Sequence, residues 1–258
     1  MTDTALKNIS NALVAARQSC ELLDGFPGDL PQTLEQAYAV QTHSISIWPA
    51  DIIGFKAGGV PDHFREKYPS QWQFGPIFSD QSYTVETGQK IEVTVFEGGF
   101  AAYEAEMVFE IEGYQSLDAP LETIEEAIPF VKKVYLGAEI ASSPNADVNN
   151  LGPGSIVSDF GNNAGVVLGP LAPLSLLDDL SSMEVTLHID GVEIGRATPG
   201  LGENGPLGAL RQTINHLISR KGEIDLPKKC LISSGAVTGV HQSKVGTVSK
   251  IRFGEYAE

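Results

Sequence analysis

The alternation of apolar and polar residues divides the chain into a helical beginning and a β-rich body. Apolar residues recur at helical spacing over 4–23, up to a turn at Gly25, and predict a first helix. Thr33 followed by Gln36 has the spacing of a capping box, so we expect a second helix to begin there. After about residue 50 the pattern changes to alternation with period two, which is typical of half-buried strands.

Several segments of this body have the pattern of a regular element. In chain order they are a strand at 90–95, a strand at 103–112, a helix at 120–130, a hairpin over 185–196 that turns at Asp190-Gly191, a helix at 206–220, and strands at 229–234 and 248–253. No repeat or linker is evident. We therefore predict the α+β class, with one domain over 1–258 that has a helical lead-in at 1–50 and a β-rich body at 51–258.

The charge balance limits the classes of partner. The chain has 33 acidic and 17 basic residues, a formal charge of −16. Such a surface repels phosphate backbones and anionic lipid, so nucleic-acid and membrane partners are not expected. No run of eighteen apolar residues occurs, and the start of the chain lacks the pattern of a signal peptide, so we expect a cytoplasmic protein. Cys20 and Cys230 form no metal-binding pair.

The segment 103–112 carries the most informative pattern. Its odd positions are apolar, whereas Glu104, Glu106, Glu110 and Glu112 lie on the opposite face of the predicted strand. One interpretation is a solvated acidic face. The other is that Glu104 and Glu106 converge on a cation, because neighbouring carboxylates on one face repel unless a positive charge lies between them. Oxygen ligands of this kind suit Mg²⁺ or Mn²⁺.

Two further charged residues stand in apolar surroundings. Glu139 is the only charge in 134–141, and a buried carboxylate is costly unless it is paired or metal-bound. It can equally face water at a strand end. Lys56 follows an apolar run and precedes a glycine-rich turn. It is either an exposed loop lysine or a partly buried one whose pKa is lowered, so that it can transfer protons.

Two other motifs lead elsewhere. Residues 200–205 match GxGxxG, but the preceding segment reads as a polar hairpin strand and not as the buried parallel strand of a dinucleotide site. The 5 histidines have no zinc-binding spacing. His63 and Glu66 form a base–orienter pair or, as is more common, belong to a solvated surface turn.

Taken in order, several motifs resemble the hydratase/decarboxylase branch of the fumarylacetoacetate hydrolase superfamily. The resemblance covers nearly the whole chain. The motifs that carry it are Leu34-Glu-Gln-Ala-Tyr-Ala-Val-Gln41, Gly54-Phe-Lys56, Phe74-Gly-Pro-Ile-Phe-Ser-Asp80, Tyr103-Glu-Ala-Glu106, Gly137-Ala-Glu139, Val157-Ser-Asp159 leading to Gly165–Gly169, Gly205–Leu210 and Ser233-Ser-Gly235.

The resemblance implies a fold and a metal site. The implied fold is a mixed, strongly curved β-sheet roll with helices outside, usually assembled as a homo-oligomer. The implied metal ligands are Glu104, Glu106 and Glu139, which would hold Mg²⁺ or Mn²⁺.

The same resemblance implies a reaction and its residues. Lys56 and Asp80 would act as the acid/base and orienting groups, and Asp159, Asn163 and Ser234 would bind the substrate. The expected reaction is hydration of a 2-hydroxypenta-2,4-dienoate-type substrate to a 4-hydroxy-2-oxo acid. A 4-oxalocrotonate-type decarboxylase is the alternative.

The chain also departs from the pattern of that family. An acidic residue and an arginine usually follow the third glutamate, but here Ile140–Pro144 contains neither, and Phe160 replaces an asparagine. Phe160 is therefore expected to reshape the pocket. Two other functions stay open: an acylpyruvate C–C hydrolase, for which His63 and Glu66 are the candidate water-activating pair, and a non-catalytic subunit.

Overall fold

The computed structural model describes residues 1–257 and begins with two helices. Helix α1 spans Asp3–Ser19 and helix α2 spans Leu34–Ile47. The hydroxyl of Thr33 accepts a hydrogen bond from the Gln36 amide at 3.2 Å, which confirms the predicted start of α2. Helix α1 ends earlier than predicted because Cys20 adopts the left-handed conformation, with φ of 57°.

The body contains twelve strands and four further helices among the described residues. The strands are β1 (Ile52–Gly59), β2 (Trp72–Phe78), β3 (Ser82–Thr84), β4 (Phe100–Glu112), β5 (Val131–Ser143), β6 (Asn163–Leu168), β7 (Leu171–Ala172), β8 (Val185–Ile189), β9 (Val192–Ala197), β10 (Lys229–Ser233), β11 (His241–Gln242) and β12 (Ser249–Phe253). The helices are α3 (Ile124–Ala127), α4 (Val148–Leu151), α5 (Pro153–Ser158) and α6 (Pro206–Ser219).

Nine of these strands form one mixed sheet. Its order is β2-β1-β10-β4-β5-β6-β3, with β11 paired to β4 and β7 paired to β5. The pairs β1/β10 and β3/β6 are parallel, and the other pairs are antiparallel. The sheet curls into a half-barrel, which confirms the α+β class and the curved roll. Strands β12, β8 and β9 form a separate sheet of three strands.

The largest core lies on the convex side of the half-barrel. Four odd residues of β4 are fully buried there against the small sheet and α6, namely Ala105, Met107, Phe109 and Ile111, and Tyr103 is partly buried. The alternation over 103–112 therefore predicted this face correctly. Burial of each such side chain stabilises the fold by about 1.5–3 kcal/mol, so the orientation of β4 is firmly fixed. The even residues of β4 consequently point into the concave side.

A loop after β10 completes the hydrogen bonding of β4. Strand β11 pairs with the beginning of β4 and β10 with its end, and residues 234–240 run between them. The amides of Ser234 and Val237 donate to the carbonyl oxygens of Met107 and Ala105, at 3.2 and 2.9 Å. This loop is thereby held along the edge of β4 beside Glu104 and Glu106.

The other predicted elements had mixed outcomes. The hairpin is confirmed as β8–β9, with positive φ at Asp190 and Gly191, and the helix at 206–220 is confirmed as α6. The strand predicted at 90–95 is wrong: its side chains alternate in exposure, but its backbone pairs with no strand within residues 1–257. The helix at 120–130 is shorter than predicted because Thr123 caps α3, which begins at Ile124, and residues Ile128–Phe130 form a 3-10 turn that contains Pro129. No helix within residues 1–257 is long and apolar enough to cross a membrane.

Candidate metal centre

Three glutamates meet on the concave face of the sheet. Glu104 of β4 lies directly opposite Glu139 of β5, and Glu106 lies opposite Gly137. Glu106 and Glu139 are fully buried, and Glu104 is 6% exposed. One carboxylate oxygen from each residue lies within 4.8 Å of the other two. Like charges opposed across two strands destabilise a sheet, so this cluster calls for a compensating positive charge.

The strand pairing at this point depends on a glycine. A Cβ on Gly137 would lie 2.0 Å from the carbonyl oxygen of Val167. Only glycine therefore lets β5 lie this close to the end of β6. The side chain that would otherwise stand opposite Glu106 is absent, which leaves room for its carboxylate.

Each of the two fully buried glutamates has one oxygen held by the protein. Glu106 Oε2 accepts hydrogen bonds from the Ser233 hydroxyl and from the Gly235 amide, the latter at 3.0 Å. Glu139 Oε1 accepts from the Asn163 amide group at 2.9 Å. Glu106 Oε1 has no hydrogen-bond partner in the described part of the chain, and Glu139 Oε2 lies 3.2 Å from the ammonium of Lys56. The second oxygens of both carboxylates thus point toward one shared space.

Burial and mutual repulsion dominate the electrostatics of the cluster. Burial and the Glu139 charge raise the pKa of Glu104 to about 8, although Lys56 opposes the shift. Burial together with the charges of Glu139 and Glu104 holds the pKa of Glu106 well above its usual range. The protein alone therefore does not supply enough positive charge for three ionised carboxylates.

Lys56 is held in its charged form, contrary to the lowered pKa that we considered. The side chain is buried, which alone would lower its pKa, but Glu139, Glu104 and Glu106 outweigh that effect and raise it. The residue is therefore not an exposed loop lysine. It presents an ammonium group, and hence a proton donor, beside Glu139.

The donor set fits a hard divalent cation. All three groups are carboxylates, and Ca²⁺, Mg²⁺ and Mn²⁺ prefer oxygen ligands. Without a bound cation, burial of the unpartnered Glu106 Oε1 has a desolvation cost that no hydrogen bond offsets. Glu110 and Glu112, on the same face, are not part of the group, because they pair with Lys133 and Lys229 at 3.1 and 3.2 Å.

A cavity of about 790 Å³ opens over the cluster. Lys56, Glu104 and Ser234 line it, so the structure brings these three sequence-predicted residues to one space. The Ser234 hydroxyl donates to the Met107 carbonyl at 2.7 Å. The roles of Lys56 in catalysis and of Ser234 in substrate binding stay predictions.

Three other predicted residues do not line this cavity. Asp80 lies on an exposed 3-10 turn, because β2 ends at Phe78 and the chain turns outward. Asn163 is buried beneath Glu139 and orients that carboxylate. Asp159 is buried against Arg17 of α1, with Nε to Oδ1 at 2.5 Å. The position of each gives no support to direct contact with a substrate.

Arg17 was not anticipated as a site residue. Its guanidinium also donates to the carbonyl oxygens of Asn163, Asp159 and Ser142, at 2.8, 3.0 and 3.1 Å. It thus joins α1 to the start of β6 and to the segment that follows Glu139. Because the Asn163 side chain donates a hydrogen bond to Glu139, Arg17 stabilises the metal centre indirectly, through Asn163.

Two motifs from the sequence are explained by their positions. Phe160 packs on Phe78 and Trp48, with ring centroids 5.0 and 5.4 Å apart, and does not line the cavity, so the reshaping of the pocket by Phe160 stays a prediction. The GxGxxG segment follows β9 of the small antiparallel sheet. It therefore lacks the parallel βαβ setting of a dinucleotide site.

Comparison with solved structures identifies the fold. No family model and no curated protein sequence matches the chain. A 4-oxalocrotonate decarboxylase from Pseudomonas putida G7, complexed with calcium and acetate, has 18% identity and a TM-score of 0.77 over 98% of this chain and 95% of that one. A yeast protein of the fumarylacetoacetate hydrolase family has 14% identity and a TM-score of 0.50 over 79% and 87%. The chain has the fumarylacetoacetate hydrolase fold.

A third structure with the same fold is more distant in shape than the decarboxylase. Fumarylpyruvate hydrolase from Pseudomonas aeruginosa, in complex with Mn²⁺ and pyruvate, has 19% identity and a TM-score of 0.56 over 81% of this chain and 88% of that one. The decarboxylase was also solved with magnesium and adipate. At these identities the fumarylacetoacetate hydrolase fold is established, and the reaction has to be argued from the site.

Proposed function

We propose that this chain is a divalent-metal-dependent lyase that hydrates a 2-hydroxypenta-2,4-dienoate-type substrate to a 4-hydroxy-2-oxo acid. The observation that carries the proposal is the convergence of three buried carboxylates on one point below the cavity, with the Lys56 ammonium 3.2 Å from Glu139. Solved structures of the same fold that contain Ca²⁺, Mg²⁺ or Mn²⁺ give it further support.

Glu104, Glu106 and Glu139 would hold Mg²⁺ or Mn²⁺ in this proposal. A bound ion of this kind supplies Lewis-acid chemistry, which stabilises negative charge on the carboxylate and 2-oxygen end of the substrate. Two of the carboxylates are kept in a fixed orientation by hydrogen bonds from Ser233, Gly235 and Asn163. Residues that hydrogen-bond to metal ligands commonly have this role.

The proton transfers fall to Lys56. Its charged side chain can donate a proton to C5 of the dienol while the 2-hydroxyl group loses its proton, which gives a 2-oxo-3-enoate. Water then adds across the C3–C4 double bond, with its hydroxyl on C4 and a proton on C3. General acid–base catalysis of this type contributes about 10²–10⁴ in rate. Asp80, which was predicted to share this work, would need a rearrangement of its exposed turn to reach the cavity.

The alternatives have less support at the site. A hydrolase would need a histidine-activated water, but no histidine lines the cavity in the described part of the chain, and His63 and Glu66 are exposed. The solved decarboxylase structures share the fold with this chain, but 18% sequence identity does not show that the two proteins catalyse the same reaction. Assembly into a homo-oligomer stays a prediction.

A substrate panel tests the proposal. Purified protein is incubated with 2-hydroxypenta-2,4-dienoate, 4-oxalocrotonate and an acylpyruvate, each with Mg²⁺, Mn²⁺ or chelator, and products are identified by NMR. We expect a 4-hydroxy-2-oxo acid from the dienoate, loss of turnover with chelator, and recovery with Mg²⁺ or Mn²⁺. Unchanged turnover in chelator, or release of CO₂ as the main reaction, would overturn the assignment.

A further inference from the structure

The cavity above the metal centre is almost free of charge. Lys56 and Glu104 are the only charged residues among those within 1–257 that line it. Its other polar walls are neutral and include five amide side chains. These are Gln73, Asn149, Asn162, Asn204 and Gln242. The chain as a whole has a formal charge of −16. Apart from Lys56, the lining within residues 1–257 contains no cationic side chain that could pair with a second anionic group of a ligand.

Lys56, the one cationic side chain among the described lining residues, is already paired with a carboxylate. Lys56 lies 3.2 Å from Glu139, and the three glutamates outnumber it. A divalent ion would bring this set of one ammonium and three carboxylates to neutrality. The carboxylate of a 2-oxo acid then adds one negative charge at the metal end. A second carboxylate at the far end would be desolvated without a partner, which is strongly unfavourable.

Three buried polar atoms of the lining lack a hydrogen-bond partner among residues 1–257. They are Trp72 Nε1, Gln73 Oε1 and Asn162 Oδ1, from side chains that are 8%, 5% and 6% exposed. Buried polar groups are nearly always paired, so each of these calls for a ligand or a water molecule. The indole N–H can donate to a hydroxyl or carbonyl oxygen, whereas the two amide oxygens can only accept, from a hydroxyl group or a water molecule.

One of these side chains, that of Gln73, is close to Lys56. Gln73 pairs with Gly58 across β1 and β2, and therefore shares the concave face with Lys56. A Cβ on Gly58 would lie 3.3 Å from Lys56 Nζ and 3.9 Å from Gln73 Nε2. The absence of this carbon keeps the space between the ammonium and the amide open. Gln73 thus stands where the middle or far part of a substrate would follow its 2-oxo end.

We propose that this cavity selects monocarboxylates: 2-oxo acids and 2-hydroxydienoates whose far end is neutral, received by Gln73, Asn162 and Trp72. Dicarboxylates of the same length are discriminated against. The inference rests on the proposed function, because it takes the substrate carboxylate to lie at the metal end. It adds the substrate class and the residues that determine it.

Binding of a matched pair of unreactive ligands tests the selectivity. Isothermal titration of Mg²⁺-loaded protein compares 2-oxohexanoate with 2-oxohexanedioate, which differ in a terminal methyl or carboxylate. We expect the dicarboxylate to bind about tenfold more weakly or worse, since each tenfold step needs only ~1.4 kcal/mol. The kcat/KM ratio of 2-hydroxyhexa-2,4-dienoate to 2-hydroxyhexa-2,4-dienedioate should follow the same order.

Added charge should reverse the preference. Gln73→Arg places a cation beside the open space, and Gln242→Lys places one at the exposed rim, where folding is less at risk. Circular dichroism checks the fold of each variant, and Thr87→Lys adds the same charge on an exposed turn outside the cavity lining. We expect at least one cavity variant to bind 2-oxohexanedioate about tenfold more tightly, with no such gain for the control.

The outcomes separate this inference from the proposed function. Equal or tighter binding of the dicarboxylate by the wild type, with 2-oxohexanoate also bound, overturns the inference alone. An equal gain in both cavity variants and the Thr87→Lys control also overturns it, because the effect would then be one of net charge. If neither ligand binds and neither dienoate is consumed, the proposed function fails, and the inference fails with it.

Discussion

Removal of one charge from the glutamate cluster should stabilise the metal-free protein. Glu104→Gln keeps the shape of the side chain but not its charge. The pKa of Glu104 is raised to about 8 by burial and by Glu139, with Lys56 opposing, from 4.5 in the unfolded chain. Between these two values the folded protein binds more protons than the unfolded chain. The stability contributed by this group is therefore full below pH 4.5 and lost as the pH rises toward 8.

The size of the effect follows from this shift. One pKa unit corresponds to about 1.4 kcal/mol, so the carboxylate lowers the free energy of unfolding by about 3 kcal/mol at pH 7 and by little at pH 4.5. In chelator at pH 7, Glu104→Gln should accordingly be more stable than the wild type by up to this amount. Urea unfolding at pH 7 and pH 5 in the presence of chelator measures it.

Divalent metal should remove the advantage of the variant. Binding at a hundred times the Kd stabilises a folded protein by ~2.7 kcal/mol, and the wild type should gain this from Mg²⁺ whereas Glu104→Gln gains less. Glu110→Gln, on the same strand but paired with Lys133, is the matched control and should not be stabilised in chelator. A Glu104→Gln variant that is less stable than the wild type in chelator would refute the reasoning, because the carboxylate would then act as a structural group.

Three other changes test separate parts of the structure. Arg17→Met leaves Asp159 buried without its partner and should lower the free energy of unfolding by about 3–5 kcal/mol; a loss below about 1 kcal/mol in urea would contradict the buried pair. Lys56→Met should reduce kcat by about 10²-fold or more while metal affinity changes little; equal losses in both would make Lys56 structural. Burial, with a smaller effect of Arg220, lowers the pKa of His216 to about 3, so its contribution to stability falls as pH drops below 6.5. Between pH 7.5 and pH 5 the free energy of unfolding of the wild type should therefore fall relative to that of His216→Phe by about 2 kcal/mol, and a difference between the two proteins that does not change with pH would contradict it.

The strand that carries two of the glutamates was predictable from local pattern. Period-two alternation over 103–112 fixed which residues face the core, and Glu104 and Glu106 followed on the opposite face. The third ligand was not accessible in this way. The register that sets Glu139 opposite Glu104 joins segments 35 residues apart, and only the resemblance to a known family linked them beforehand.

The supporting residues were harder to predict for the same reason. Arg17 and Asp159 meet across 142 residues of chain, although Arg17 had one local signal, since it follows Leu13 by four residues on the buried face of α1. In Ser233-Ser234-Gly235 the resemblance implies a substrate-binding role for the middle residue. The strand geometry instead turns its two neighbours toward Glu106.

The segment 90–95 shows that period-two alternation can also predict a strand that does not form. Its exposure alternates as predicted. Alternation reports which side chains are covered, however, and not whether a neighbouring backbone is available for pairing. Extended segments and strands are therefore indistinguishable by this pattern alone.

Titration with Mn²⁺ tests the metal centre most directly. Isothermal titration calorimetry on the wild type should show one ion bound per chain, and Glu139→Gln, with its fold verified by circular dichroism, should lose most of that binding. Glu110→Gln should bind as the wild type does. Unchanged Mn²⁺ affinity in Glu139→Gln, or no binding by the wild type, would contradict the assignment of Glu104, Glu106 and Glu139 as the metal ligands.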